Sequence, residues 1–186
     1  MVALDRESAR TFITALHRAC RAIRRLPVPV IARIEGYALG AGLEIAASCD
    51  LRVAADTAKF GMPEVKVGIP SVIEAALLPR LVGWGRARRL LLTGETVDAG
   101  TAERWGLVER VVPPSGLDAA VEECVMAILA AGPRAIRLQK ALIRDWEGLG
   151  LSEAVERGID AFAEAYETRE PAERMSAFLL RKSRAP

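Results

Sequence analysis

The stretch "GYALGAGLEIAASCD" (residues 36–50) decides the fold. It predicts a loop from Gly36 to Gly42 and then a mostly buried helix that ends near Cys49. The first N–H groups of a helix have no partner within it and lie at the positive end of its dipole. Because small residues let a ligand oxygen approach, we expect the N–H of Ala41 to be an oxyanion donor, with Gly40 and Gly42 beside the substrate. Glu44 follows in the first helical turn, which is also where an acidic residue is stabilised without any function.

The flanking segments predict an α/β arrangement. Upstream, "DRESARTFITALHRACRAIRR" (5–25) has the pattern of an amphipathic helix with Asp5 as its N-cap, and Pro27 and Pro29 end it. Residues 30–34 and 51–55 are predicted as strands on either side of the helix that contains Glu44.

The rest of the chain changes from α/β to helical. Residues 56–70 are predicted to be irregular, residues 85–94 to form a helix that ends at Gly94, and residues 98–106 to form a short helix. A last strand is expected over 107–113. The helices expected after it are 117–131, 133–146, 151–166 and 171–182. We therefore expect an α/β core over 1–113 and a helical region over 114–186.

Composition restricts the class of protein. The chain has 186 residues, 51% of them hydrophobic and 27% charged, with a formal net charge of +2. This charge is too small to indicate a nucleic acid or a membrane as partner. Cysteines at 20, 49 and 124 form no CxxC motif, which favours a reduced cytoplasmic protein. His17 is the sole histidine, so a histidine-rich metal site is not expected, and its simplest interpretation is a surface residue.

A second acid follows in "KFGMPEVKVGIP" (59–70), where Glu64 stands after Pro63. Ligands of α/β proteins collect at the loops that follow strands. Two carboxyl groups in one apolar cleft would have their pKa values pushed apart, which yields one acid and one base. Spacing alone leaves open whether Glu44 and Glu64 meet.

These motifs resemble the enoyl-CoA hydratase/isomerase family, the crotonase superfamily. The resemblance is carried by I-A-x-I-x-G, the small triplet before x-E, C-D, F-G-x-P-E and L-T-G…A…G-L-V, in this order within residues 27–113. It implies the spiral α/β fold of ClpP and crotonase. It also implies C-terminal helices that assemble a homotrimer or a hexamer.

The resemblance assigns roles to individual residues. Ala41 matches the oxyanion-hole residue, and Glu44 and Glu64 match the two glutamates of the hydratases. These would add water across the 2,3 double bond of a 2-enoyl-CoA: Glu44 activates the water that adds at C3, and Glu64 protonates C2. Phe162 and Arg181 match positions that reach coenzyme A. No separate cofactor and no metal are implied, because coenzyme A is part of the substrate.

Two departures from the family pattern affect these expectations. No S-A-G-x-D-like segment, which in the family supplies the second oxyanion N–H, precedes residue 12. We therefore expect an N-terminally truncated core, with Met1 either internal to a longer reading frame or the start of a truncated product. Loss of one such donor typically costs about 2.7–4 kcal/mol. In addition, Ser71, Val72, Ile73 and Glu74 stand where glycines are usual. Glu74 is either a third acid that contacts the substrate or an acid in a first helical turn.

Four functions follow, in order of preference. The first is hydration of a 2-enoyl-CoA in fatty-acid or related acyl-CoA metabolism, favoured because both glutamates are present. The second is an isomerase or another crotonase reaction that relies on Glu64. The third is an inactive chain that only assembles or binds partners. RNA binding comes last, because a solvated helix face explains Arg18, Arg21, Arg24 and Arg25 equally well. The acyl chain and the pathway stay open.

Overall fold

A computed structural model describes the backbone of residues 3–182 and the side chains of residues 3–180. The chain divides into two compact units. The first contains the residues up to Leu26 and Val30–Glu123; the second contains Pro27–Pro29 and the chain from Cys124 onward. The α/β content of the first and the helical content of the second agree with the predicted change along the chain. The predicted domain division at residue 113 stays a prediction.

Short strands and helices alternate in the first unit. The strands are β1 Ile31–Ile34, β2 Tyr37–Leu39, β3 Leu51–Ala55, β4 Lys59–Gly61, β5 Thr96–Asp98 and β6 Arg110–Val112. The α-helices are α1 Arg6–Arg25, α2 Ala41–Ser48, α3 Leu78–Val82, α4 Trp84–Thr93 and α5 Ala99–Trp105. Three 3₁₀ helices cover Pro63–Val67, Ile73–Leu77 and Pro114–Gly116.

The strands form two sheets in the described residues. One has the order β1-β3-β6 and is parallel throughout; the other has the order β2-β4-β5, with β2 and β4 parallel and β5 antiparallel. Gly36, at φ +80°, turns the chain from β1 into β2 and so from one sheet to the other. The single helix α2 then connects β1 to β3 in the first sheet and β2 to β4 in the second. Its N-terminus therefore lies at the end of β2, where the site is built.

Caps agree with the sequence predictions. Asp5 caps α1, because its Oδ1 accepts from the N–H of Ser8 at 2.8 Å. Asp98 caps α5 in the same way through the N–H of Thr101 at 2.7 Å. Gly94 ends α4 and Gly106 ends α5, both with positive φ.

Three predicted boundaries were wrong. The expected loop 36–42 contains β2, and the expected irregular stretch 56–70 contains β4 and the 3₁₀ helix Pro63–Val67. Strands of three residues are too short to show a period of two, and they form here because β2 and β4 pair with each other. The expected strand 107–113 is reduced to β6, since Leu107 and Val108 are buried in the core before the strand begins.

The chain is helical after β6. Its helices are α6 Leu117–Ala130, α7 Pro133–Trp146, α8 Leu151–Ala165 and α9 Glu170–Lys182, close to the predicted ranges. In the second unit α7 packs against α8. The carboxylate of Glu170, at the start of α9, accepts from the N–H groups of Arg134 and Ala135 and thereby caps α7.

Candidate active site

The N-terminus of α2 presents two free N–H groups. Gly40, at φ +51°, precedes the helix, and its carbonyl accepts from the N–H groups of Leu43 at 2.9 Å and Glu44 at 3.0 Å. Within the described residues, the N–H groups of Ala41 and Gly42 have no acceptor, and both residues are exposed. They lie at the positive end of the helix dipole, which suits them to bind a partly negative oxygen.

Glu44 turns inward from the same helical turn. Its side chain is 4% exposed, and its Oε1 accepts from the N–H of Ala75 at 3.0 Å. Burial raises the pKa of Glu44 to about 7; the hydrogen bond from Ala75 opposes this rise, and the charges of Glu64 and Glu74 add to it. A carboxyl group with a pKa near 7 is matched to proton transfer at neutral pH.

Glu64 lies in the first turn of the 3₁₀ helix Pro63–Val67, directly against the glycine that precedes α2. Its Oε2 accepts from the hydroxyl of Ser71 at 2.8 Å. A Cβ added at Gly40 would lie 2.2 Å from Oε1 of Glu64, far inside van der Waals contact. Glycine at 40 is therefore needed both for its positive φ and for the room that this carboxylate takes.

One cavity of about 660 Å³ joins these groups. Ala41, Glu44 and Glu64 line it together. Most of the remaining wall is apolar and comes from α1 and from the segment that follows Glu64, including Phe12, Ile13, Leu16, Ile69 and Val72. Arg6 and Arg10 complete the lining from α1. The cavity thus combines an apolar wall with two carboxyl groups and a free backbone donor, the composition of a small-molecule site.

The carboxylate of Glu74 contacts α1. This residue lies in the first turn of the 3₁₀ helix Ile73–Leu77, is 5% exposed and does not line the cavity. Its Oε1 lies 2.8 Å from Nδ1 of His17 in a hydrogen bond. Its carboxylate points to α1, which agrees with the interpretation as an acid in a first helical turn; contact of Glu74 with the substrate stays a prediction. His17 is correspondingly more than the surface residue that composition suggested.

Two other predicted residues lie in the second unit. Phe162 on α8 is 69% exposed, and its ring lies 5.3 Å from that of Tyr166. It is not a core residue, and its contact with coenzyme A stays a prediction. The side chain of Arg181 lies outside the described residues.

Ser71, Ala75 and His17 are the site residues that sequence reasoning missed. Ser71 was noted only as a replacement for glycine, and nothing in the pattern indicates that its hydroxyl reaches Glu64. The amide of Ala75 carries no side-chain signal at all. His17 meets Glu74 across 57 positions of sequence, and this contact depends on the packing of α1.

Neither a metal centre nor a membrane-spanning helix is present within the described residues. No group of three or more His, Cys, Asp or Glu side chains among them is arranged to hold a metal ion. No helix within residues 3–182 combines the length and the apolar character needed to cross a bilayer.

A sequence profile of the enoyl-CoA hydratase/isomerase family matches residues 1–184. The chain belongs to this family. An enoyl-CoA hydratase structure from Mycobacterium smegmatis superimposes with a TM-score of 0.94 at 35% identity, over 97% of this chain and 71% of that one. One from Bacillus anthracis gives 0.92 at 33% identity, over 100% and 71%. The crotonase fold predicted from the motifs is confirmed.

Two curated members of the enoyl-CoA hydratase/isomerase family are similar along most of the chain. A crotonyl-CoA hydratase of Syntrophomonas wolfei is 40% identical over 180 residues, which are 96% of this chain and 69% of that protein. A short-chain-enoyl-CoA hydratase of Clostridium acetobutylicum is 38% identical over 167 residues, 89% of this chain and 64% of that protein. The chain thus spans about two thirds of the length of the curated relatives that it matches.

Proposed function

We propose that this protein hydrates a 2-enoyl-CoA thioester. The observation that carries the proposal is that Glu44 and Glu64 line one apolar cavity together with the free N–H of Ala41. The curated relatives named as hydratases support the same reaction. The apolar wall suits an acyl chain, and the thioester oxygen would lie at the N-terminus of α2.

The reaction needs one group for each bond that changes. The N–H of Ala41 binds the thioester oxygen and stabilises it as it gains enolate character. Ionised Glu44 takes a proton from water while the oxygen of that water bonds to C3. Glu64 delivers a proton to C2, so the 2,3 double bond is consumed and one water is added. Transfer of a proton from Glu44 to Glu64 then restores the starting state.

The environment of Glu44 supports its role as the base, and the contacts of Glu64 hold that carboxyl group in place. The pKa of Glu44, about 7, makes it a stronger base than an ordinary carboxylate while it is still partly ionised at neutral pH. Glu64 is held by the hydroxyl of Ser71 and by its fit against Gly40. A reaction that relied on Glu64 alone, as in an isomerase, would leave the buried and costly Glu44 without a task.

The first prediction tests this function with crotonyl-CoA and the loss of its conjugated absorbance. Glu44→Gln and Glu64→Gln each keep the shape of the side chain and remove the titratable group. We expect each to lower kcat/KM by about 10²–10⁴-fold, the usual contribution of a general acid or base. Glu122→Gln, the same change at an exposed position of α6, serves as the control. Absence of hydration in the unaltered protein, or hydration that survives Glu44→Gln, would contradict the proposal.

We also propose that copies of this chain assemble as a homotrimer or a pair of trimers. The exposed apolar side chains of α8 and α9 support this assembly, since a large apolar face commonly marks an interface. No cofactor beyond the coenzyme A of the substrate enters the proposed reaction. The cytoplasmic location stays a prediction from cysteine usage.

A further inference from the structure

His17 and Glu74, which the proposed reaction does not use, are linked to Glu44 through the backbone of Ala75. Glu74 is 5% exposed, and its Oε1 makes a 2.8 Å hydrogen bond with Nδ1 of His17 on α1. Its neighbour in sequence, Ala75, donates the N–H that holds Oε1 of Glu44. The hydrogen bond between His17 and Glu74 therefore connects α1 to the turn that contains Ala75, the donor to Glu44.

Glu74 is also an electrostatic neighbour of Glu44. The other titratable or charged groups around Glu44 are Glu64 from the following 3₁₀ helix and, from α1, Cys20 with Arg6 and Arg10 at the cavity wall. Burial raises the pKa of the Cys20 thiol, and the charges of Glu74 and Glu44 raise it further. The thiol is therefore neutral at pH 7, which leaves Glu64 and Glu74 as the charged groups that raise the pKa of Glu44.

Glu74 itself is incompletely bonded. Its Oε2 is buried and has no hydrogen-bond partner within the described residues. Burying a carboxylate with a single hydrogen-bond partner destabilises the fold, so the presence of Glu74 at this position calls for a functional explanation.

We propose that Glu74 and His17 are positioning residues for Glu44, which fix its orientation through Ala75 and set its affinity for a proton. This inference rests on the proposed function only in so far as Glu44 is the base. The Glu74 carboxylate opposes ionisation of Glu44, because two negative charges would then lie close together. The hydrogen bond from His17 holds Glu74 in place, so the two residues act on Glu44 as one unit.

The second prediction follows the carboxyl carbon of Glu44 by ¹³C NMR in protein without substrate. Glu74→Gln removes the charge and keeps a hydrogen-bonding group for His17. We expect the titration midpoint of Glu44 to fall by roughly a few tenths of a pH unit, because a nearby like charge is removed. Glu122→Gln should leave it unchanged. A midpoint that stays in place in Glu74→Gln would overturn the proposal.

A second measurement needs no change at Glu74, in case that variant does not fold. His17 is the sole histidine, so its imidazole signals are unambiguous. Coupling between sites is reciprocal, so Glu44→Gln, which removes a negative charge, should lower the titration midpoint of His17 by a few tenths of a pH unit. An identical midpoint in the unaltered protein and in Glu44→Gln would show that the two sites are not linked.

Kinetics supply the third readout. In Glu74→Gln the acid limb of kcat/KM should move to lower pH by the same amount as the Glu44 midpoint, with KM unchanged because Glu74 does not line the cavity. A residue with only a structural role would lower activity at every pH without moving the limb. Since both titrations require no turnover, they can succeed where hydration fails, so the two proposals are tested separately.

Discussion

Burial of Glu44 destabilises its ionised form and so raises its pKa. A carboxylate taken out of water loses solvation, so the neutral form gains relative to the ionised form, and the pKa of Glu44 rises from 4.5 to about 7. The hydrogen bond from the N–H of Ala75 offsets only part of the lost solvation. Apolar packing alone would not retain an acid here, which is why the residue is best explained by the cavity that it faces.

The third prediction concerns stability and belongs to this residue. Between pH 4.5 and 7 the folded protein binds more protons at Glu44 than the unfolded chain does, so this group's contribution to the free energy of unfolding falls as pH rises through that window. Glu44→Gln removes the titration. As the pH rises from 5 to 8, we therefore expect the free energy of unfolding of the variant to increase by about 2 kcal/mol relative to that of the unaltered protein.

Urea unfolding at both pH values measures this difference. Glu122→Gln, whose glutamate is exposed, should show a pH dependence equal to that of the unaltered protein. Should the Glu44→Gln variant follow the same pH curve as this control, Glu44 would titrate as an ordinary surface acid.

Elements as short as three residues carry the site in this fold. β2 and β4 pair in parallel and bring Gly40 next to the segment of Glu64. Past Pro70, the 3₁₀ helix Ile73–Leu77 supplies the N–H that holds Glu44. Its first residue, Ile73, has φ +42°, a conformation in which a β-branched side chain is strained. The strain coincides with the turn that positions the base, as expected of a functional segment.

The fourth prediction measures that strain. Ile73→Gly and Ile73→Ala both remove the side chain, but only glycine relaxes the backbone at positive φ. We expect the glycine variant to be more stable than the alanine variant by about 1 kcal/mol in urea unfolding. The same pair of changes at Ile45, within α2, is the control, and there alanine should be the more stable by a similar amount. If the alanine variant were more stable than the glycine variant at both positions, this would argue against strain at Ile73.

On the scale of the whole molecule, exposed apolar side chains point to assembly. Val155, Ile159, Phe162 and Tyr166 follow one face of α8 at helical spacing, and each is more than half exposed. Met175, Phe178 and Leu179 are similarly exposed on α9. Faces of this size are seldom left in water, since burying them is favourable.

The fifth prediction is that the protein sediments at about three or six times the mass of one chain. Ile159→Asp places a charge in the middle of the α8 face and should shift the protein towards single chains, because burial of an unpaired carboxylate opposes assembly. Ala119→Asp adds the same charge at an exposed position of α6 and should leave the mass unchanged. A monomer at micromolar concentration without any substitution would refute the proposed assembly.

Local pattern and motif spacing were enough for the larger features of this protein. The prediction was correct for the long helices, for the N-cap of α1 at Asp5, for the strands that flank α2 and for the family. Each of these depends on residues that are close together in sequence. The three-residue strands and the contact of Glu74 with His17 were not predicted. They depend on pairing and packing between segments that are distant along the chain.

The amino-acid sequence by itself determined which chemistry is available: two carboxylic acids, a helix start built from Gly-Ala-Gly, and membership of the enoyl-CoA hydratase/isomerase family. Only the tertiary structure decided how these groups are used. It brought Glu44 and Glu64 to one cavity, turned Glu74 away to His17, and selected Ser71 and Ala75 as hydrogen-bond donors. The physical reason is that burial and long-range contacts, not residue identity, set the orientation and the proton affinity of a carboxyl group.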